Sequence, residues 1–172
     1  ALTFTNKAAR EMRERIANIV GINAARYLQM GTFHSVFSHI LRTEAERIGY
    51  NPRFTIYDRS DSSSLIKTII KESGLDDKKY KPNTVLSRIS WAKNRLILPE
   101  SYANDPGLLK SDSAANIPEV RNIYANYQKR LKAAEAMDFD DLLVYMYVLL
   151  CNNEDIRKKY VERFEFVLVD EY

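Results

Sequence analysis

Runs with strand character lie only near the two ends of this chain. Leu2-Thr3-Phe4-Thr5, Tyr27 to Met30 and the brief extended stretch Phe54 to Tyr57 stand at one end, and Phe166 to Asp170 stands at the other. Between them apolar residues recur at helical spacing. This layout predicts an α/β fold, predominantly helical, in which a parallel sheet is interrupted by a helical insertion of about eighty residues.

Capping and stop signals outline the helices. Asn6 is a good N-cap for a helix reaching about Val20, with Ala9, Met12, Ile16 and Val20 on one face and Gly21 beyond. Gly31-Thr32 opens a second helix, whose apolar side carries Phe33, Phe37, Ile40, Leu41, Ala45 and Ile48. Asp58 caps a helix carrying Leu65, Ile66, Ile69 and Ile70, and Gly74 stops it. Pro82 begins the next, with Val85, Leu86, Ile89 and Leu96. Ser101 to Asn116 reads as a polar, turn-rich stretch, after which Pro118 opens a long helix through about Ala136. Asp138 and Asp141 bracket the first turn of an apolar helix from Leu142 to Leu150, where carboxylates complement the helix dipole. A polar helix from about Glu154 to Glu162 leads into the closing strand.

Composition narrows the class. The 172 residues are 45% hydrophobic, enough for one sizeable domain with a core. A net charge of +3 says little about partners, so the distribution of charge matters more than its total. One cysteine, Cys151, cannot form an internal disulfide, and its neighbours Leu149 and Leu150 predict that it is buried. With two histidines besides, a zinc site is not expected. No apolar stretch has membrane-spanning length and no signal peptide is evident, so the expected location is cytoplasmic, without a membrane partner. The chain lacks a starting methionine and opens on a strand, as expected of a piece of something longer.

Three sites carry candidate chemistry. Thr3-Phe4-Thr5-Asn6-Lys7 sets hydroxyls, an aromatic ring, an amide and a lysine at a strand-to-helix junction, where unpaired N–H groups and the positive dipole end favour phosphate. Phe4 can stack on a base, while Thr5, Asn6 and Lys7 hold a nucleic-acid backbone. Thr32-Phe33-His34-Ser35 repeats this architecture. The apolar run Val167-Leu168-Val169 delivers Asp170-Glu171 to a strand end, where P-loop enzymes place one carboxylate on a metal shell and another beside the attacking water.

Together these residues resemble the superfamily 1 DNA helicases of the UvrD, PcrA and Rep type. Thr3 to Met12 is similar to their motif Ia, Thr32 to Ser35 to the next DNA-contacting motif, Asp138-Phe139-Asp140-Asp141-Leu142 to motif Id, and Val169-Asp170-Glu171-Tyr172 to motif II. The resemblance implies that residues 1–56 begin a RecA-like (P-loop NTPase) domain 1A, that 57–136 form helical subdomain 1B, and that 137–172 return to 1A. It implies single-stranded DNA contacts at Phe4, Thr5, Asn6, Lys7, Thr32, His34 and Ser35. It further implies Mg²⁺ held through Asp170 and water activation by Glu171, with ATP as nucleotide. The substrates would be single-stranded and forked DNA, with 3′-to-5′ translocation.

Inside the insertion, Arg88, Trp91 and Arg95 share a helical face with Lys93 nearby, a candidate duplex contact. Glycines occur only at positions 21, 31, 49, 74 and 107, and none builds GxxxxGK[ST], so these 172 residues are expected not to hydrolyse ATP without the remainder of the helicase. A helicase-nuclease of the RecB or AddA kind shares these motifs, and a non-catalytic helical interaction module is the reading from a different class.

Overall fold

In the computed structural model, which describes residues 1–170, Thr5 rather than Asn6 caps the first long helix. The chain forms β1 (Leu2–Thr3) and, after Phe4 and Thr5, α1 (Asn6–Val20). Thr5 is the last residue with extended backbone, so its hydroxyl, one position earlier than expected, reaches the first turn. Gly21 ends α1 at φ 86°, and α2 (Ile22–Ala25) follows. The second strand also shifts: β2 is Gly31–Thr32, not Tyr27 to Met30. The amides of Tyr27 and Leu28 bond back to the carbonyls of Ala24 and Ala25, which spends them on a turn instead of a ladder.

β1 and β2 are parallel, with Leu2 opposite Gly31 and Thr3 opposite Thr32. The helix α3 (Phe33–Thr43) leaves β2 without a linker, and a 3₁₀ turn spans Ala45–Ile48. Glycine leaves room at this exit for the side chains of the following turn. A Cβ at Gly31 would lie 2.6 Å from Ser35 Oγ and 3.3 Å from Val36 Cγ2.

Residues 53–144 form one compact unit; residues 1–52 with those from Tyr145 onward form another. The first of these begins with β3 (Thr55–Tyr57) and α4 (Arg59–Glu72), the helix closed at its start by a capping box in which Asp58 and Asp61 each accept the other's backbone N–H. α5 (Pro82–Lys93) follows. The stretch expected to be turn-rich holds two short helices, α6 (Pro99–Ala103) and α7 (Pro106–Ala114). Each has proline in its first turn, and Asp105 caps α7 through the amides of Gly107 and Leu108. Their polar surfaces hid the helical period.

α8 (Val120–Ala133) stops short of Ala136, because Glu135 at φ 49° reverses the chain into a strand that sequence reasoning missed, β4 (Ala136–Asp138). β4 pairs in parallel with β3, Thr55 opposite Ala136 and Tyr57 opposite Asp138. The two ends of the helical segment are thereby fastened side by side. Its core is continuous, with Ile66, Ile69, Ile89, Ile123, Tyr124, Tyr127 and Leu131 all buried. Each such side chain contributes about 1.5–3 kcal/mol when removed from water.

α9 (Phe139–Asn152) starts in this unit and continues into the other, where α10 (Glu154–Arg163) follows. There the rings of Tyr50 and Tyr145 meet edge-on at 5.2 Å, and Glu44 accepts from Lys159 Nζ at 2.5 Å and Tyr160 Oη at 3.0 Å. Cys151, expected to be buried, is exposed: it faces outward on α9 while Leu149 is fully enclosed. The expected strand Phe166 to Asp170 is reduced to a single parallel bridge between Val169 and Leu2. Phe166, Val167 and Leu168 stay exposed, so the apolar run has strand composition without a second ladder partner among the described residues. No helix among those residues is long and apolar enough to cross a membrane.

Candidate nucleic-acid interface

The parallel register carries both strand-to-helix corners to one edge of the sheet. At the first, Thr5 Oγ1 accepts from Ala8 N at 3.1 Å, which leaves Asn6 and Lys7 exposed in the opening turn of α1. At the second, Thr32 Oγ1 accepts from Ser35 N at 3.2 Å, Ser35 Oγ donates to Thr32 O at 2.9 Å, and His34 is half-buried between them. Neither α1 nor α3 has an acidic residue in its first turn. The positive end of each helix dipole therefore lacks a compensating carboxylate of its own, the condition that favours a phosphate. Lys7 adds a cation, tied to Glu11 at 3.9 Å in an exposed pair of little energetic weight.

Phe4 is 59% exposed and does not belong to the core. Its ring centroid lies 5.1 Å from that of Phe33, which in turn meets Phe37 edge-on at 5.9 Å. An aromatic row thus leads outward and ends in a ring face available for stacking. Sequence reasoning assigned Phe33 only to the apolar side of its helix. The signal for its second role is positional: Thr3 and Thr32 are register partners, so the aromatic residue after each falls at the same level.

Asp170 arrives at this same edge. Leu2 N donates to Leu168 O at 2.8 Å and Asp170 N donates to Leu2 O at 2.9 Å, which sets the Asp170 backbone beside β1. Among the described residues no group of three or more His, Cys, Asp or Glu could cage a metal ion. A lone exposed carboxylate suits Mg²⁺, which keeps several waters and takes other ligands from a nucleotide's phosphates. Glu171 lies outside the described residues.

In the unit of residues 53–144, the expected basic face divides. Trp91 is exposed and Arg95 lies over its indole, Cζ 4.0 Å from the ring centroid. Arg88 is half-buried, with Nη1 2.5 Å from Asp112 Oδ1. Lys93 does not join them. It is 1% exposed and its ammonium lies 2.7 Å from Asp138 Oδ2 and 2.8 Å from Asp141 Oδ1, so it cannot reach a DNA phosphate.

The two aspartates also cap α9 for each other: Asp141 N donates to Asp138 Oδ1 at 2.8 Å and Asp138 N to Asp141 Oδ2 at 3.2 Å. Tyr127 Oη reaches Asp138 Oδ2 at 2.8 Å and Gln128 Nε2 reaches Asp141 Oδ1 at 3.1 Å. Burial pushes the Asp141 carboxyl up to about 6, against the opposing pull of Lys93 and with the help of Asp138's charge. Burial alone would lower Lys93, but the two carboxylates outweigh it and hold its pKa above the ordinary value.

Residues 1–172 match the family model described as UvrD/REP helicase N-terminal domain. The chain belongs to this UvrD/REP helicase family. It is 41% identical over 172 residues to the ATP-dependent DNA helicase PcrA of Bacillus subtilis (strain 168), and 41% identical to PcrA of Leuconostoc citreum. It is 44% identical over 173 residues to the ATP-dependent DNA helicase UvrD1 of Mycobacterium tuberculosis (strain ATCC 25618 / H37Rv). All of this chain is covered in each comparison, but it spans only 22% of the length of these relatives. In this UvrD/REP chain, sequence reasoning also missed Asp112 and Tyr102. They stand 24 and 14 residues along from Arg88 and fall in a stretch that carries no motif.

Proposed function

We propose that this chain supplies the single-strand track of an ATP-dependent DNA helicase that moves 3′ to 5′ on single-stranded DNA and opens forked duplex. One observation carries the reading: the Thr3–Thr32 register, with the Phe4 and Phe33 rings 5.1 Å apart, puts two anion-favouring helix starts and a stacking surface on one sheet edge. A single strand needs both, phosphate cradles along its backbone and an aromatic face for its bases. Phe4 stacks on a base; Thr5, Asn6 and Lys7 hold one phosphate, and Thr32, His34 and Ser35 the next.

Asp170 would hold Mg²⁺ through water, and Glu171 would orient the attacking water or take its proton. The ion, when bound with ATP, neutralises charge that develops on the phosphate oxygens. In this reading β1, β2 and the segment at Val169 belong to a RecA-like sheet, and residues 57–136 are subdomain 1B. Arg88, Trp91 and Arg95 face the nucleic acid at the fork, and the protein works in the cytoplasm. The sequence holds no phosphate-cradling GxxxxGK[ST] loop, which supports an absence of ATP hydrolysis by these 172 residues alone.

Fluorescence anisotropy with a labelled oligo(dT) tests the track. Phe4→Ala is expected to weaken binding by about 1–3 kcal/mol, the range for one base stacked on an aromatic ring. Unchanged affinity in Phe4→Ala and in Thr32→Ala/His34→Ala would refute the track, and DNA-stimulated ATP hydrolysis by the purified chain would refute the inactivity.

A further inference from the structure

Beside α5, in the unit of residues 53–144, lies a cavity of about 690 Å³ lined by Trp91, Arg88, Ser87, Asn83, Leu108 and Ser111, among others. Its size falls in the range of sites that enclose small organic groups, about 300–1,000 Å³. The wall is unusually constructed. Asp112 is fully buried, and both its oxygens are committed: Oδ1 to Arg88 Nη1 at 2.5 Å and Oδ2 to Tyr102 Oη at 2.8 Å. Burying a carboxylate is costly, and an ion pair returns that cost only in part. What the arrangement achieves is geometric: the Arg88 guanidinium, its side chain 30% exposed, is held at one place in the cavity wall.

Trp91 stands in the same wall, 43% exposed, with Arg95 stacked on its indole. An indole and a pinned guanidinium, with hydroxyls at Ser87 and Ser111 and an amide at Asn83, match a planar aromatic group with a hydrogen-bonding edge on an anionic chain. A phosphate alone would leave the indole without a task. A second cavity, of about 310 Å³ by Arg59 and Phe139, is rimmed by Asp58 and Asp140 and would repel a polyanion.

We propose that the cavity at Trp91 and Arg88 receives one unpaired nucleobase of a single DNA strand, Trp91 stacking on the base and Arg88 binding its edge or the adjoining phosphate. This rests on the reading of the chain as a DNA-binding protein and extends it. The site lies away from motif Ia and the Thr32–Ser35 corner in sequence, and it selects a base where a duplex contact would select only phosphates.

Trp91 is the only tryptophan, so its emission reports on the cavity directly. The chain is titrated with oligo(dT), with an abasic oligomer of the same length and charge, and with a blunt duplex. Oligo(dT) is expected to quench Trp91 emission at concentrations at least fivefold lower than either other ligand. Ser111→Phe, which projects a ring into the cavity, is expected to weaken that quenching at least fivefold while oligo(dT) binding by anisotropy persists, and Arg88→Lys, which keeps a cation beside Asp112 but loses the planar guanidinium, to weaken it likewise. Equal responses to all three ligands would reduce the contact to charge alone and overturn the pocket. Anisotropy binding with silent Trp91 emission would overturn it and leave the proposed track intact. No binding by either method would overturn both.

Discussion

Lys93 Nζ lies 2.7 Å from Asp138 Oδ2 with only 1% of the lysine side chain exposed, joining the end of α5 to the start of α9 through the core. With Asp141, Tyr127 and Gln128 the group forms a buried polar network in which each carboxylate oxygen has a partner. Such a network is costly to break from one side, because the partners left behind are still buried. Replacing Lys93 by Met is expected to destabilise the chain by about 3–5 kcal/mol, read as a lower urea midpoint. The triple change Lys93→Met/Asp138→Asn/Asp141→Asn should recover much of that loss, since no uncompensated charge remains.

The same network sets a pH dependence. Asp141 is pushed up to about 6 in the folded chain, mainly by burial, from its ordinary 3.8. A carboxyl whose folded pKa is raised binds its proton more tightly when folded, so its contribution to stability is fully present below 3.8 and is lost as pH rises through about 6. Unfolding midpoints of the parent chain and of Asp141→Asn, compared between pH 4.5 and 7.5, should therefore run in different slopes. The parent should lose stability relative to the variant as pH rises across this window, and parallel curves would contradict the assignment.

Thr5 and Thr32 are the caps of α1 and α3, and Asn6 is not a cap. Thr5→Ala and Thr32→Ala should each cost about 1 kcal/mol of stability by thermal denaturation. Asn6→Ala, on the exposed first turn, should change stability by less than about 0.5 kcal/mol while still weakening DNA binding if Asn6 holds a phosphate.

A Cβ added at Gly31 would lie 2.6 Å from Ser35 Oγ and 3.3 Å from Val36 Cγ2, so a larger residue there requires these side chains to shift. Gly31→Ala is expected to destabilise by about 1–3 kcal/mol through overpacking. Ser35→Ala in the same chain removes the colliding oxygen and should restore part of the loss. A double-mutant cycle with no coupling would show that the strain lies elsewhere.

Local signals in the sequence were read correctly where a few neighbouring residues decide the outcome. Asp58 caps α4, Gly21 ends α1, and Thr32 starts α3 because each depends on groups within one turn, whereas the helix expected to carry Ala45 and Ile48 stops at Thr43 and those two residues lie in a separate 3₁₀ turn. Errors of a residue or a few came where hydrogen bonding chose among adjacent candidates: Thr5 over Asn6, and Gly31–Thr32 over Tyr27 to Met30. α6 and α7 were missed because they are short and mostly polar, and β4 because its three residues follow a helix without a turn signal beyond Glu135. For the candidate site, the residue types and the two corners were legible. That two such corners on neighbouring strands would share one sheet edge was legible as well; the register that sets Thr3 opposite Thr32 and brings the Phe4 and Phe33 rings to 5.1 Å was not, since it depends on pairing across nearly thirty positions.

The sequence by itself determined that strand-to-helix junctions rich in hydroxyls stand near one end, that helices fill the middle, and that the motifs follow the order of the UvrD/REP family. Tertiary structure alone decided that Lys93 is a core cation and Arg88 a pinned one, that Phe33 supports Phe4, and that Cys151 faces outward. The reason is physical: helix caps and periodicity are fixed by interactions within a turn. The burial of a charge, in contrast, depends on partners tens of residues away, here Asp138 for Lys93 and Asp112 for Arg88, and a charged side chain reads as a surface residue until they are brought together.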